Sequence, residues 1–306
     1  MVWLIACGTP TDTAMVADSP AVDTVVDTEV VDTEGHDSAE VDPCTVNGQG
    51  SGSVVGSADC TDGVCAVAAG SFWMGSDVSE DECPVHEVTL SGYRIDRDEV
   101  SRGAWAACVE AGACDDIPAV CEGVTASWAS DEVWGGDPAD YPVVCVDWAA
   151  AGAYCGWVGG RLPTEAEWER AAAGDEGATW PWGALAPDCE VANFRFSSWY
   201  CAEGLTFVGT WEAESAYGLR DVAGNAWEWV ADAYDATWYA RSPAQDPTGP
   251  TEDCALAPTA TPSDCTARVI RGGAWNTTEN NTRSAARSFA AATVVDRNIG
   301  FRCAYD

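Results

Sequence analysis

The chain has 306 residues, and its 50 aspartates and glutamates outnumber 14 basic residues, which gives a formal net charge of −36. This charge repels phosphate backbones and excludes nucleic acid as a partner. All 14 basic residues are arginines, and the absence of lysine excludes Schiff-base and lysine-nucleophile chemistry.

The first seven residues have the pattern of a partial lipoprotein signal. Leu4-Ile5-Ala6-Cys7 has the form of a bacterial lipobox, in which the cysteine is acylated after cleavage. We therefore expect a cell-envelope or surface lipoprotein, outside the cytoplasm, that contacts the membrane only through the lipid on Cys7. The alternative is an ordinary apolar N-terminus with a fortuitous cysteine. Residues 8–42 are acidic and contain no aromatic side chain, which favours a disordered spacer.

Fifteen cysteines accompany only two histidines, His36 and His86. The cysteines and histidines lack the spacing of a zinc-binding site. Disulfides formed in an oxidising compartment therefore explain the cysteines better. Residues 43–68 are expected to form a disulfide-pinned lead-in to a main domain at 69–306. Short spacings favour the pairs Cys108–Cys114, Cys189–Cys201 and Cys254–Cys265. The partners of six further cysteines stay open: Cys44, Cys60, Cys65, Cys83, Cys121 and Cys145.

The main domain is predicted to mix short strands with helices. Alternation predicts a strand around Val88 and Leu90, and helices are predicted at 101–111, 147–158 and 164–174. Ser101 is the predicted N-cap of the first helix. Thr164 and Glu167 form a capping box that opens the third, and Gly174 ends it. The remaining chain is rich in Gly, Pro, Asn and Trp, which predicts an α+β class with much irregular structure.

Four segments are the motifs most specific to a protein family: RLPTEAEWER (161–170), YGLRDVAGNAWEW (217–229), VIRGGAWNTTENNTRSAARS (269–288) and NIGFRCAYD (298–306). In this order and spacing, they resemble the formylglycine-generating enzyme family, also called the sulfatase-modifying factor domain, over residues 69–306. The resemblance implies that family's fold, which is related to the C-type lectin fold. It also implies a disulfide between Cys155 and Cys303.

The family's best-known activity needs two cysteines that follow the RGG turn, bind copper and convert a substrate cysteine to formylglycine. Thr277 and Thr282 occupy these positions here, and no cysteine lies between Cys265 and Cys303. Copper(I) prefers soft thiolates, which hydroxyls do not replace. We therefore expect no copper, no catalytic residue and no oxidase activity.

The resemblance also implies structural calcium at two loops. The implied ligands are the side chains of Asp221, Glu228 and Asn193 and the backbone carbonyls of Gly224, Ala226 and Phe194. Hard oxygen ligands of this kind suit calcium. The alternative is a hydrogen-bonded loop with its carboxylates solvated.

Three functions are compatible with these residues. The first is a calcium-stabilised exported domain that binds a peptide, a protein or a glycan and performs no chemistry. Its binding face would lie around the former active site, at Trp227, Trp275, Asn276 and Arg287, where rings and amides stack on and hydrogen-bond to a ligand. The second is a formylglycine-generating oxidase, and the third is a diversified lectin-like surface receptor. The missing thiols favour the first.

Overall fold

The computed structural model describes residues 56–118, 137–250 and 267–306, all of which belong to the unit Val41–Asp306. The helices in these ranges are α1 (Arg102–Glu110), α2 (Trp148–Trp157) and α3 (Glu165–Ala173). The strands are β1 (Cys60–Thr61), β2 (Val64–Val67), β3 (Gly70–Met74), β4 (His86–Leu90), β5 (Tyr93–Asp96), β6 (Arg195–Phe196), β7 (Trp199–Tyr200), β8 (Trp227–Ala233), β9 (Ala267–Arg271), β10 (Arg287–Ala291), β11 (Ile299–Phe301) and β12 (Ala304–Tyr305).

The strands form two four-stranded sheets and two hairpins. One sheet has the order β1-β2-β5-β12 and the other β10-β9-β8-β11, while β3-β4 and β6-β7 pair alone. Every pair is antiparallel except β11 with β8, which is parallel. Few helices, many short strands and long connections confirm the predicted α+β class with much irregular structure.

Side-chain caps fix where the helices start. The Ser101 hydroxyl accepts from the Ala104 amide at 3.2 Å ahead of α1, and Asp147 caps α2 in the same way. Thr164 and Glu167 form the predicted capping box of α3. Gly174 ends that helix at φ 72°, a conformation that glycine adopts without a Cβ clash. The predicted helices are thus confirmed to within a residue or two.

The hairpin β1-β2, within the expected lead-in, packs on the main domain. Its second strand pairs with β5, and Cys65 and Val67 are at most 1% exposed within the core. A Cys60–Cys65 disulfide closes the hairpin. The described part of the expected disulfide-pinned lead-in therefore packs on the main domain, and the boundary between residues 68 and 69 stays a prediction.

Two apolar clusters hold these elements together. One surrounds Trp168 of α3, and the other surrounds Trp229 of β8 and Phe301 of β11. Because β8 contributes to both clusters, the loops that enter β8 and leave β9 are attached to the core at one end. These loops carry the candidate site residues.

Disulfides brace the fold. Cys155–Cys303 is present, as the resemblance implies, and the predicted pairs Cys108–Cys114 and Cys189–Cys201 are present as well. Cys83 and Cys145 are also disulfide-bonded. Cys7, Cys44, Cys121 and the predicted Cys254–Cys265 pair lie outside the described residues. Within the described ranges, no helix is long and apolar enough to span a bilayer.

Candidate functional site

The loop after β9 contains the positions of the family's thiols. Gly272 and Gly273 turn the chain at φ 90° and 77°. A Cβ on Gly273 would lie 2.9 Å from the Asn281 carbonyl oxygen and 3.1 Å from the Thr277 hydroxyl. This close approach, together with the positive φ, explains why the motif needs glycine.

Thr277 and Thr282 serve as turn residues. The Thr277 hydroxyl donates to the Ala274 carbonyl and accepts from the Ala274 amide, each at 2.9 Å. The Thr282 hydroxyl donates to the Glu279 carbonyl at 2.7 Å, and Thr282 is fully buried. Every cysteine in the described part of the chain is disulfide-bonded. No described thiol is therefore positioned to bind copper here.

An exposed aromatic hairpin lies against this loop. The Arg195 amide at the start of β6 donates to the Thr277 carbonyl at 2.8 Å. The ring centroids of Tyr200 and Trp275 are 5.4 Å apart. Phe196, Trp199 and Tyr200 are 37%, 52% and 42% exposed, although aromatic side chains usually find apolar cover. Phe196 and Trp199 are opposite each other in the hairpin, with ring centroids 5.3 Å apart, and we call these two side chains the aromatic face. Tyr200 follows Trp199 in the strand and lies on the other side of the hairpin, against Trp275.

Sequence analysis missed this hairpin. The signal was present in FRFSSWYC (194–201), where aromatic residues flank a Ser-Ser turn. Two-residue strands are too short for periodicity to reveal them. The Cys189–Cys201 disulfide fixes the base of the hairpin, so the rings do not depend on long strands for their position.

The structure separates the four residues expected on the binding face. Trp275 is buried against Tyr200, and its indole N–H donates to Asn298 at 2.8 Å. Asn276 follows it, half-buried, and its Oδ1 accepts no hydrogen bond from the described residues. Trp227 instead packs in the core beside β11.

Arg287 is also a core residue rather than a surface contact. Its guanidinium donates to both oxygens of Glu165, at 2.7 and 3.0 Å, and lies 4.3 Å from the Tyr239 ring centroid. A fully buried arginine keeps its charge only when paired and hydrogen-bonded. Arg287 is therefore committed to the fold, and it does not line an accessible surface as the sequence analysis expected.

Asp221, in the first of the two loops that the resemblance implies for calcium, has a carboxylate oxygen with no hydrogen-bond donor among the described residues. The residue is 5% exposed and adopts φ 55°. Its Oδ2 accepts from the Gly209 amide at 2.5 Å, whereas its Oδ1 has no hydrogen-bond partner among the described residues. Burial raises the pKa of Asp221 to about 7, against the hydrogen bond from Gly209. A cation beside Oδ1 would remove this cost of burying the carboxylate.

Glu228, the other predicted carboxylate ligand, is already paired. Arg302 donates to both of its oxygens at 2.7 Å, and the Trp168 indole donates to Oε2 at 2.8 Å. The carboxylate is fully buried rather than solvated. The loop therefore fits calcium at Asp221 and fits it poorly at Glu228.

The second loop that the resemblance implies for calcium also has a buried oxygen that accepts no hydrogen bond from the described residues. Asn193 is fully buried, and its amide nitrogen donates to the Gly204 carbonyl at 2.9 Å. Its Oδ1 accepts no hydrogen bond from any residue that the structure describes. The Phe194 carbonyl accepts from the Cys201 amide. Among the described residues, no group of three or more His, Cys, Asp or Glu side chains has the arrangement of a metal site. Calcium at either loop would therefore rely on backbone oxygens, which it accepts readily.

These features define a class of protein: an α+β domain of short strands and long loops, braced by a disulfide between a central helix and the C-terminal strands. The family model described as "Sulfatase-modifying factor enzyme 1-like domain" matches residues 53–306. The chain belongs to this family, and its fold is that of the formylglycine-generating enzymes.

Relatives include enzymes and a protein named as inactive. The formylglycine-generating enzyme of Streptomyces coelicolor is 33% identical, covering 80% of this chain and 90% of that protein. The inactive C-alpha-formylglycine-generating enzyme 2 of Mus musculus is 34% identical, covering 54% of this chain and 49% of that protein.

Solved structures share the fold. PvdO from Pseudomonas aeruginosa superimposes with a TM-score of 0.60 at 26% identity, covering 83% of this chain and 98% of that one. Treponema denticola variable protein 1 gives a TM-score of 0.63 at 23% identity, covering 79% and 94%.

Proposed function

We propose that this chain is a non-catalytic member of its family that binds a ligand outside the cytoplasm. The observation that carries the proposal is the replacement of the thiol pair by Thr277 and Thr282. Each hydroxyl donates to the carbonyl three residues earlier, so both side chains stabilise turns. The name of the mouse relative indicates that the family includes members without the oxidase activity.

The oxidase is the alternative, because a relative named as a formylglycine-generating enzyme is 33% identical. The test is incubation of the disulfide-intact chain with a Cys-x-Pro-x-Arg peptide, copper(I) and oxygen, followed by mass spectrometry for the aldehyde. We expect unmodified peptide, because hydroxyls do not replace copper-binding thiolates. The Streptomyces coelicolor enzyme is the positive control. Aldehyde formed at a rate near that of the control would establish the oxidase instead.

The aromatic face is the proposed ligand-binding surface, and a glycan is the proposed ligand. Phe196 and Trp199 offer exposed flat rings that stack on the apolar faces of sugars. The exposed Ser197 and Ser198 contribute hydroxyls beside these rings. Stacking surfaces beside uncharged polar groups suit a carbohydrate better than an apolar peptide.

Replacing Trp199 with alanine is expected to weaken glycan binding about tenfold or more, which corresponds to about 1.4 kcal/mol. The measurement is glycan-array screening, followed by calorimetric titration of the best glycan. Trp157→Ala is the matched control, because Trp157 is similarly exposed at 42% but lies on α2. Equal effects of the two variants would contradict the assigned surface, and binding to a peptide array alone would exclude the glycan.

Two further properties accompany this proposal. We infer calcium at the Asp221 and Asn193 loops because each has a buried oxygen without a described partner. We also infer lipid attachment at Cys7 from the lipobox. Metabolic labelling with palmitate, lost in Cys7→Ser, tests the anchor. The disulfides agree with an oxidising, extracytoplasmic location.

A further inference from the structure

A cavity of about 640 Å³ lies beside α2, and no residue of the aromatic face lines it. Its walls come from the β4–β5 turn, α2, residues 160–164 and the segment 246–248. Apolar side chains form much of the wall, among them Leu90, Tyr93, Trp148 and Leu162. A concave space of this size with an apolar wall suits a small organic molecule.

Acidic side chains outnumber basic ones around this cavity. The described lining residues include the acids Glu167, Asp246 and Asp306 and one basic residue, Arg161. The Arg161 guanidinium is shared between Glu167, at 2.7 Å, and Asp306, at 2.9 Å. The charge of Arg161 is therefore already used by two carboxylates, which leaves Asp246 as the third.

Asp246 forms no ion pair within the described ranges. Its Oδ1 accepts from the Ser91 amide at 2.6 Å, and its Oδ2 accepts from the Ser91 hydroxyl at 3.0 Å and from Gln245 at 2.8 Å. These hydrogen bonds, the one from the Ser91 amide first, hold the pKa of Asp246 below its ordinary value. Asp246 is therefore an ionised carboxylate held against the β4–β5 turn at the edge of the cavity.

Two further arginines contact the wall of the cavity. The Arg268 guanidinium lies 3.9 Å from the Trp148 ring centroid and donates to a carbonyl of β8. Arg94 donates to the Asp306 carbonyl at 3.1 Å. Neither arginine pairs with Asp246, so the Asp246 edge of the cavity stays negative.

We propose that this cavity binds a small primary amine, with its apolar body against the wall and its ammonium group at Asp246. Burial of the apolar body supplies the larger part of the affinity, and the charge of Asp246 selects an amine over an alcohol or an acid of the same shape. The site shares no residue with the aromatic face, so this inference does not depend on glycan binding there.

The test of the ligand class is saturation-transfer NMR with 4-phenylbutylamine, 4-phenylbutanol and 4-phenylbutyrate, followed by calorimetric titration. We expect the amine to bind about threefold or more tightly than the alcohol, the size expected of an exposed charge pair, and the anion to bind least. If none of the three binds, the cavity is not a ligand site. Equal binding of the amine and the alcohol, or tighter binding of the anion, would overturn the amine.

Gly152→Phe tests the location of the site. Gly152 lines the cavity, and a Cβ built on it meets no atom within 4 Å, so a phenylalanine ring has room to occupy the ligand space. The variant should weaken binding of 4-phenylbutylamine about tenfold or more. Phenylalanine has a higher helix propensity than glycine, so α2 should keep its structure, which the melting temperature checks.

Gly156→Phe is the matched control. Gly156 lies one turn further along α2, and a Cβ there also meets no atom within 4 Å, but this glycine does not line the cavity. Its affinity for the amine should equal that of the wild type. Equal weakening by the two variants, or no weakening by Gly152→Phe, contradicts the assigned cavity.

Asp246→Asn tests the position of the ammonium group. Asparagine tolerates the φ of 43° at this residue and keeps an acceptor for the Ser91 amide. The variant should remove the preference for 4-phenylbutylamine over 4-phenylbutanol and leave the affinity for the alcohol unchanged. A preference that survives in the variant would show that Asp246 does not bind the amine.

Discussion

Replacing Arg302 with methionine is expected to lower the free energy of unfolding by about 3–5 kcal/mol, the usual cost of breaking a buried ion pair. Arg302 is fully buried, and its guanidinium donates to both oxygens of Glu228. It also donates to the carbonyls of Asp96, Arg97 and Arg220. The variant leaves the Glu228 carboxylate buried without its cation. Urea unfolding followed by circular dichroism measures the loss.

Arg161→Met is the matched control for this variant. Arg161 also pairs with a glutamate, Glu167, at 2.7 Å, but its side chain is 39% exposed. Exposed ion pairs contribute about 0–1 kcal/mol, so this change should be mild. If the two variants lose the same stability, the buried pair is not what holds the C-terminal strands in place.

Local features of the fold could be predicted from the sequence because their causes are local. The capping box at Thr164 and Glu167 and the cap at Ser101 need only residues three positions apart. The end of α3 at Gly174 also has a local cause, because glycine is the residue that most often ends a helix in the left-handed conformation. The disulfide Cys155–Cys303 spans 148 residues, and it was available only through the resemblance to a known family.

The buried charges could not be predicted, because their partners are distant in sequence. Glu165 and Glu169 of α3 pair with Arg271 of β9, more than 100 residues later. Arg287 joins Glu165 in the same way. An acidic chain offers many partners for each arginine, and sequence alone does not choose among them. Arg287 was expected on a binding face because it follows the former active-site turn, and Glu228 was expected at a metal because the family resemblance implied it.

These pairs also explain the family motifs physically. The arginine of RGGAW bonds the first and third glutamates of TEAEWER, and the arginine of GFRC bonds the glutamate of NAWEW. The segments that identify the family therefore join α3, β8, β9 and the residues after β11 through buried charges. Such a scaffold needs no thiol pair, which is why the family fold persists here with Thr277 and Thr282 at the former ligand positions.

Replacing Cys155 and Cys303 together with alanine is expected to lower the free energy of unfolding by about 4–5 kcal/mol, because the disulfide constrains a long unfolded loop. The bond joins α2 to the segment between β11 and β12, and both cysteines are fully buried. The matched control is Cys189→Ala with Cys201→Ala, which opens a loop with a sequence separation of 12 and should cost about 3 kcal/mol. Denaturant unfolding of the two double variants gives both losses. An equal or smaller loss for the Cys155 and Cys303 variant would show that the paired strands and the Arg302–Glu228 ion pair hold the C-terminal segment without the disulfide.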